Sequence, residues 1–223
     1  MPYQEILILA MTKMLAGICA AGVTRDPDPV TGLRWVRPVR AFGSVLPGDM
    51  MDDEDRLLGC GDVVKLKLLR PRSDPPHVED WVTDFDHHRP VCVRCLQGQK
   101  RRDFFPKYLD RAPEDVLVKH TRSLCLLQPE RVEARFSLDG YSRKYQARLR
   151  FTLPGEVNHP QAMSRRGVPV TDLKWRALGR SWLGERGGVL NLDHEALMTR
   201  LSAEAVYLTV GLSRPWKGKH WPL

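Results

Sequence analysis

The sequence predicts a mainly β fold with minor α content, built from two consecutive small β-barrels with a helical or irregular connector between them. The 223 residues are enough for two domains of about 100 residues each. Short strand-like segments bounded by Pro, Gly and Asp make up much of the chain, and they follow a similar order twice. The composition, 42% hydrophobic and 28% charged, is that of a folded protein and not of a disordered one.

The first block is predicted to contain five strands. The opening runs, EILILAM and GICAAGV, are too short to cross a membrane and favour a pair of buried strands. RDPDPVTG is rich in residues that break regular structure, and LRWVRPV then resumes as a strand. Pro38 cannot donate to a β-ladder, so we expect this strand to end or to lie at an edge there. Two further strands are predicted in DVVKLKLLRP and HVEDWVTDF.

The alternation stops between Asp86 and Ser123, which we interpret as the helical or irregular connector. In the second β-rich block, Asp139-Gly140 separates two alternating runs, and this dipeptide favours a hairpin because the turn needs positive φ. LDHEALMTRLSAE is the best helix of the chain, and VYLTVGLSRPW is predicted as the last strand. The predicted domains are 1–122, the first barrel with its connector, and 123–223, the second barrel.

Five short strands in about 100 residues fit an OB-fold, but the pattern alone does not separate that barrel from an SH3-like barrel or a sandwich. A spaced set of small, basic and aromatic residues in the first forty positions is more specific. The set consists of Thr12, Lys13, Gly17, Cys19, Ala21, Gly22, Trp35, Val36, Arg37, Pro38 and Val39.

In these positions the chain resembles the dual OB-fold domain family, bacterial proteins with two consecutive OB-folds. The resemblance continues at Glu79 and Trp81, and VTDLKW (170–175) and residues 207–223 look like the family's closing strands. It implies a protein that binds nucleic acid, often in a phage-defence or mobile-element setting. One position departs from the family pattern: Met14 follows Lys13 where a second basic residue is usual, so part of an implied phosphate contact is missing.

The net charge of +8 is confined to one part of the chain. Residues 1–130 carry 19 Lys and Arg against 19 Asp and Glu, whereas residues 131–223 carry 16 against 8. A basic half favours a polyanionic partner, because cations that neutralise phosphates release condensed counterions. Genomic base composition is an alternative explanation, since 25 of the basic residues are Arg and only 10 are Lys.

The candidate nucleic-acid contacts are basic and aromatic residues on predicted strands and loops, because bases stack on aromatics while cations follow the backbone. We expect Trp35 to lie in the core and Arg34 and Arg37 to face away from it. The second barrel and the C-terminal segment supply most of the candidates. The full set is Lys13, Arg34, Arg37, Tyr141, Arg143, Lys144, Arg148, Trp216, Lys217 and Lys219.

Two rival sites involve metal ions. A single Cys-x-x-Cys lies close to two histidines and could supply zinc ligands, but no second such motif exists, and buried structural cysteines are the alternative. Its members are His87, His88, Cys92 and Cys95. An acidic run could hold magnesium for a nuclease, although such runs are usually solvated. It comprises Asp49, Asp52, Asp53, Glu54 and Asp55.

No catalytic or dinucleotide-binding signature is present, so we expect no cofactor and favour a binding protein over an enzyme. The expected partner is single-stranded or irregular DNA or RNA. The alternative is an adaptor that docks a nuclease or helicase through its barrels. Five cysteines without a disulfide-framework spacing favour a cytoplasmic location, and no membrane association is expected.

Overall fold

The computed structural model describes residues 3–14, 16–155, 166–184 and 187–214. The chain divides into two compact units, one of residues 1–108 and 121–124 and the other of residues 109–120 and 125–223. In this division the segment 109–120 packs with the second unit, whereas the boundary predicted after residue 122 places it with the first barrel. Each unit has its own sheets and its own buried side chains.

The first unit contains one seven-stranded sheet in the order β5-β6-β3-β2-β1-β4-β7. Neighbouring strands are antiparallel except for the parallel pair of β3 and β6. The five predicted strand regions are confirmed, with DVVKLKLLRP split into two. The strands are β1 (Gln4–Met14), β2 (Gly17–Thr24), β3 (Trp35–Val39), β4 (Asp62–Leu66), β5 (Leu68–Pro71), β6 (Asp80–Thr83) and β7 (Val91–Cys95), and a short 3-10 helix covers Pro47–Met50.

Lys67 connects two strands of the first unit that are far apart in the strand order. This residue alone separates β4, which pairs with β1, from β5, which pairs with β6 at the far end of the strand order. β4 lies next to β7, the last strand of the order, so the chain connects one end of the sheet with a strand near the other end and the sheet is curled. A curled sheet with this strand order is typical of the small Greek-key barrel of the OB type.

Gly22 sets the close approach of β1 and β2. A Cβ atom at this position would lie 2.3 Å from the carbonyl oxygen of Leu7 and 2.7 Å from Cγ2 of Ile6. Ile6 and Ile8 are completely buried in the barrel. Any larger residue at Gly22 would push the two strands apart and open this core.

The third strand lies inside the sheet, between β2 and β6, and ends one residue after Pro38. Its pairing with β2 includes only Trp35 and Val36. Pro38 lies beyond that ladder and is paired only with Trp81 of β6. The pairing with β2 has already ended at Pro38, so no strand on that side lacks the hydrogen bond that a proline cannot donate. The proline therefore does not have to lie at an edge of the sheet.

The connector region contains two helices, α1 (Gly98–Lys107) and α2 (Glu114–Leu117), but also the strand β7. β7 pairs with β4 across a bulge at Val63 and Val64. Four of its five residues are exposed, so the segment has no buried face. A strand of this kind has no apolar period of two, which is why the sequence pattern did not predict it.

The second unit contains a four-stranded sheet in the order β11-β10-β9-β12 and a two-stranded sheet of β13 and β8. The predicted helix near residue 197 is confirmed, and so is the hairpin that includes Asp139-Gly140. Its connection is the six-residue loop 139–144, in which the residue with positive φ is Arg143 and not Gly140. The strands are β8 (Leu124–Leu127), β9 (Arg131–Leu138), β10 (Tyr145–Thr152), β11 (Val168–Pro169), β12 (Gly188–Leu192) and β13 (Leu208–Gly211), and the helices are α3 (Leu173–Leu183) and α4 (His194–Leu201).

The prediction of a closing strand over residues 170–175 is wrong, because α3 begins at Leu173. Asp172 caps this helix, and its Oδ1 accepts a hydrogen bond from the N–H of Trp175 at 2.8 Å. Helical spacing then places Trp175 and Trp182 against Phe136. The ring centroid of each tryptophan lies 5.6 Å from that of Phe136. Burial of these large rings at helical spacing outweighs the strand-like local pattern.

The two units share one strand topology. In the first unit β1 pairs with β2 and β4, and in the second unit β9 pairs with β10 and β12. The third strand of each unit, β3 or β11, pairs with the second strand. The prediction of a mainly β protein with minor helices and two OB-like barrels is therefore confirmed.

Candidate nucleic-acid interface

In an OB-fold, oligonucleotides bind to the face of the second and third strands and to the loops that flank it, including the loop between the first and second strands. In the second unit the equivalent parts are β10, β11 and the β9–β10 loop. In the first unit they are β2, β3 and the β1–β2 turn. The candidates of the second barrel that the structure describes all lie on its part of this surface, on β10 or in the preceding loop: Tyr141, Arg143, Lys144 and Arg148.

Arg135 and Arg148 lie directly opposite each other on β9 and β10. Like charges in this position destabilise a sheet. Arg148 donates from Nη2 to the carbonyl oxygen of Gly167 at 2.7 Å and from Nε to that of Arg166. Arg135 makes a long contact of 3.5 Å from Nη1 to Oδ1 of Asn191. Within the described ranges neither guanidinium is ion-paired with a carboxylate, so the charge of the pair is not compensated.

Burial and the charge of Arg166 both lower the pKa of Arg148 from its usual value. Both effects disfavour the charged form, and an anion over the pair would oppose them. The next row of the same hairpin is different. Arg150 lies opposite Glu133, and their side chains form an ion pair of 2.8 Å between Nη1 and Oε2. Among the residues that the structure describes, a carboxylate thus neutralises the row of Arg150 but not the row of Arg135 and Arg148.

The β9–β10 loop is organised by Asp139. Its Oδ1 accepts hydrogen bonds from the N–H of Tyr141 at 3.2 Å and from the N–H and hydroxyl of Ser142 at 2.6 and 2.8 Å. The bonds from Ser142, then the one from Tyr141, hold the pKa of Asp139 below its usual value. This closed turn leaves the Tyr141 ring 100% exposed, with the exposed side chains of Arg143 and Lys144 beside it in sequence.

A shallow groove of about 450 Å³ lies next to this loop. Its volume is comparable to that of small-molecule sites, but it is open to solvent on one side. One wall comes from the loop and the other from the ends of the strands, where Gln146 and Val189 both pair with Ser137. The lining residues are Ser137, Leu138, Asp139, Gly140, Ser142, Lys144, Gln146, Gly188 and Val189.

Two arginines of α3 add positive charge near the start of β10. The guanidinium carbons of Arg176 and Arg180 lie 4.9 and 5.2 Å from the ring centroid of Tyr145. Burial raises the pKa of Tyr145, although both arginines act in the opposite direction. Cations four residues apart on a helix repel each other, so the aromatic contact offsets part of that cost.

Sequence reasoning missed Arg135, Arg176 and Arg180. The signal at Asp139-Gly140 does not find Arg135, because a two-residue turn there would place that residue opposite Lys144, whereas the observed six-residue loop, 139–144, places it opposite Arg148. Arg176 and Arg180 follow residues 170–175, for which the sequence predicts a strand. They share a face only because they are four residues apart on α3.

The structure separates the first-unit candidates from one another. Lys13 is exposed on β1, next to the β1–β2 turn, and Arg34 is half-buried. Arg37 is not on the solvent side of β3 as expected. It lies two residues from Trp35 and therefore on the same face, and its Nε contacts Oδ1 of the buried Asp80 at 2.5 Å. We therefore leave Arg37 out of the candidate interface.

The C-terminal candidates Trp216, Lys217 and Lys219 lie outside the described residues. The interface is therefore built from the remaining residues alone.

The histidines and cysteines of the zinc alternative are engaged with their own neighbours. His87 Nδ1 lies 2.9 Å from Oδ1 of Asp84, which raises the pKa of His87. His88 Nδ1 lies 3.0 Å from the hydroxyl of Tyr3. Cys92 and Cys95 belong to β7, and burial, then the charge of Asp62, raises the pKa of Cys92. In the part of the chain that the structure describes, no three His, Cys, Asp or Glu side chains are placed to hold a metal ion.

The acidic run of the nuclease alternative is largely paired with arginines. Asp49 contacts Arg40 at 2.6 Å. Asp52 contacts Arg56 at 3.1 Å and also accepts hydrogen bonds from the backbone of its own loop. Asp55 contacts the arginine at position 89 at 2.9 Å. Carboxylates held in this way stabilise the loop and do not converge on one point.

The fold and this surface define an OB-fold protein, and a comparison with protein families agrees. A sequence model of the dual OB-containing domain matches residues 4–223. The chain belongs to that family. The searches of curated proteins and of solved structures gave no significant match. Among the described residues, no helix has the length and apolar character needed to cross a membrane.

Proposed function

We propose that this chain binds single-stranded or otherwise irregular nucleic acid, chiefly through β10 and the β9–β10 loop of the second unit. The observation that carries the proposal is the pair of Arg135 and Arg148 on the outer surface of the β9–β10 hairpin, which no carboxylate of the described residues neutralises. Arg148 lies on β10, the equivalent of the second strand that OB-folds use for oligonucleotides, and Arg135 lies opposite it on β9. Membership of the dual OB-containing domain family supports the same class of partner.

The phosphate backbone is the part of the ligand that suits the arginine pair. Arg donates several hydrogen bonds from a planar group and matches phosphate oxygens in a two-point contact. A phosphate over Arg135 and Arg148 would relieve the repulsion between them and oppose the lowered pKa of Arg148. Lys144, exposed in the adjacent loop, extends the same positive surface.

The bases have a separate contact in the loop. Tyr141 offers both faces of its ring to solvent, and bases stack on such rings with about 1 to 3 kcal/mol per base and little sequence preference. The groove beside Gln146 and Val189 is open to a second base. A strand with unpaired bases can use both contacts, whereas a regular duplex keeps its bases stacked inside.

The site is tested by fluorescence anisotropy with labelled single-stranded DNA and RNA. We expect the double variant Arg135→Glu/Lys144→Glu to bind at least tenfold more weakly than the wild type at low salt. The matched control is Lys65→Glu/Lys67→Glu, which makes the same change of charge on the first unit. Equal losses in the two variants would mean that only net charge matters, and a larger loss in the control would move the site to the first unit.

Tyr141 allows a second, independent test, because a fully exposed ring contributes little to folding. Tyr141→Ala should weaken binding by about 5-fold to 150-fold, the range given by the loss of one stacked base, whereas Tyr141→Phe should retain most of the affinity. Equal affinities of the two variants and the wild type would show that no base stacks there.

We further propose that the protein acts in the cytoplasm. The five cysteines, all of which lie within the described ranges, form no disulfide bond with one another. Thiols that stay reduced are typical of reducing compartments. The phage-defence or mobile-element setting is part of the same proposal, and the genes that neighbour this one would test it.

A further inference from the structure

The first unit carries a group of cations on one helix. Five arginines of its barrel are paired with acids, in Arg37–Asp80, Arg40–Asp49, Arg56–Asp62, Arg89–Asp55 and Arg94–Glu5. Helix α1 instead carries four exposed cations and a single acid, Asp103. The four are Lys100, Arg101, Arg102 and Lys107.

Within the described ranges, none of these four cations is ion-paired. Arg101 contacts the sulfur of Cys60 at 3.6 Å, and Arg102 donates to Oε1 of Gln99 at 3.1 Å. Asp103 accepts a hydrogen bond from Nε2 of Gln99 at 2.6 Å instead of pairing with a cation. The equal numbers of acids and bases in residues 1–130 therefore conceal a strongly basic helix.

Helix stability does not explain where these charges lie. Lys100 and Arg101 belong to the first turn of α1, which contains no acidic residue. Positive charge at a helix N-terminus opposes the helix dipole and is unfavourable by a few tenths of a kcal/mol or more per residue. An anion bound at that end would reverse the sign of this effect, because it would meet both the cations and the dipole.

An aromatic stack adjoins the basic residues. The rings of Phe104 and Tyr108 are nearly parallel, at 12°, with centroids 4.1 Å apart. The guanidinium carbon of Arg34 lies 5.5 Å from the centroid of Tyr108. Both rings are half-buried and so keep part of their surface in solvent. Stacked rings beside cations are the combination that binds unpaired bases and their phosphates together.

We propose that α1, together with Arg34 and Tyr108, is a second contact site for single-stranded nucleic acid, located in the first unit. Phosphates contact Lys100, Arg101 and Arg102, and a base extends the stack of Phe104 and Tyr108. The inference rests on the proposed function, since it assigns a further contact for the same class of ligand. It differs from that proposal because it places this contact on the first unit. The equal numbers of acidic and basic residues in 1–130 give no sign of a basic surface there.

The test compares single-strand binding by the full chain and by Arg101→Glu/Arg102→Glu, with Lys65→Glu/Arg70→Glu as the matched control in the same unit. We expect the α1 variant to lose about tenfold in affinity and to lower the slope of log K against log salt by about 1.4, or about 0.7 per lost phosphate contact. The control should change both quantities much less. Circular dichroism would show that each variant is folded.

The failure of this inference differs from the failure of the proposed function. A wild-type chain that binds no single strand overturns both. A wild-type chain that binds, is weakened by Arg135→Glu/Lys144→Glu and is unchanged by Arg101→Glu/Arg102→Glu overturns only the α1 site.

Base stacking at α1 has its own readout. A strand with 5-iodouridine should form a photo-crosslink to the peptide that contains Phe104 and Tyr108, and Tyr108→Leu should reduce the yield more than Tyr108→Phe. Polyglutamate of the same charge should compete poorly, because it has no bases to stack. Displacement of the strand by polyglutamate at equal charge, with no crosslink to this peptide, would assign the surface to an acidic protein and overturn the proposal.

Discussion

Glu79 accepts hydrogen bonds from Ser123 with both of its side-chain oxygens, at 2.8 Å from the N–H and 2.9 Å from the hydroxyl. Its Oε1 also accepts from the N–H of Leu124 at 3.0 Å. Glu79 and Ser123 are both completely buried. Segment 121–124 is therefore held on the first unit by one side chain from the loop that precedes β6.

Replacement of Glu79 by alanine should be strongly destabilising. The change removes the acceptor of three buried donors, and each unsatisfied donor costs about 1 to 3 kcal/mol. We expect Glu79→Ala to lower the free energy of unfolding by about 3 kcal/mol or more in urea titrations followed by circular dichroism. The exposed Glu54→Ala serves as the control. A loss no larger than that of the control would contradict the role assigned to Glu79.

Arg37 should act in folding and not in binding. Removing one partner of a buried ion pair costs about 3 to 5 kcal/mol, whereas replacing both partners by apolar residues is often neutral. Arg37→Met should therefore destabilise the chain strongly, and Arg37→Met/Asp80→Leu should recover much of the loss. The folded double variant should bind single strands as the wild type does. A tenfold loss of affinity in that variant would return Arg37 to the interface.

Gly179 should tolerate no side chain. A Cβ atom there would lie 2.1 Å from Cδ1 of Phe136 and 2.6 Å from the hydroxyl of Tyr145. Forcing a methyl group into such a site costs about 1 to 3 kcal/mol, beyond the small gain in helix propensity. Gly140→Ala is the matched control, because no atom lies within 4 Å of its Cβ position. Equal melting temperatures of the two variants would contradict the packing of α3 on Phe136.

The ion pair of Asp62 and Arg56 should make stability depend on pH. Burial alone would raise the pKa of Asp62, but hydrogen bonds from Arg56 and the N–H of Gly59 hold it below its usual value. A lowered pKa contributes stability above the unfolded value of about 4, and this is lost as pH falls through the folded value. The destabilisation caused by Asp62→Asn should therefore be larger at pH 7 than at pH 3. An equal destabilisation by Asp62→Asn at pH 7 and at pH 3 would contradict the lowered pKa of Asp62.

The sequence predicted the elements whose apolar pattern reflects burial. EILILAM is, after its first residue, a continuous apolar run and is buried on both faces, whereas the hairpin strands β9 and β10 and the helix around Leu197 bury one face. Each of these elements lies where the pattern predicts it. β7 was missed because it has no buried face. The start of α3 was missed because its helical face depends on Phe136, which lies more than thirty positions earlier in the chain.

The site was predictable as far as strand register allowed. Arg148 and Tyr141 could be selected from the hairpin alone. The partner of Arg148 became visible only with the pairing of β9 and β10, and the burial of Arg37 only with the position of Asp80 on β6. The comparison of net charge between residues 1–130 and 131–223 indicated a basic surface on the second unit. It did not indicate the basic helix α1, because charge totals do not show which cations are paired with acids.

The most direct test of the central claim is the salt dependence of single-strand binding by the wild-type chain. Anisotropy with a labelled strand of about 15 nucleotides should give a dissociation constant that rises steeply between about 50 and 200 mM salt. A log–log slope of about −0.7 for each phosphate contacted is the predicted result. No binding at tens of micromolar protein in low salt, or an affinity that does not change with salt, would contradict the account.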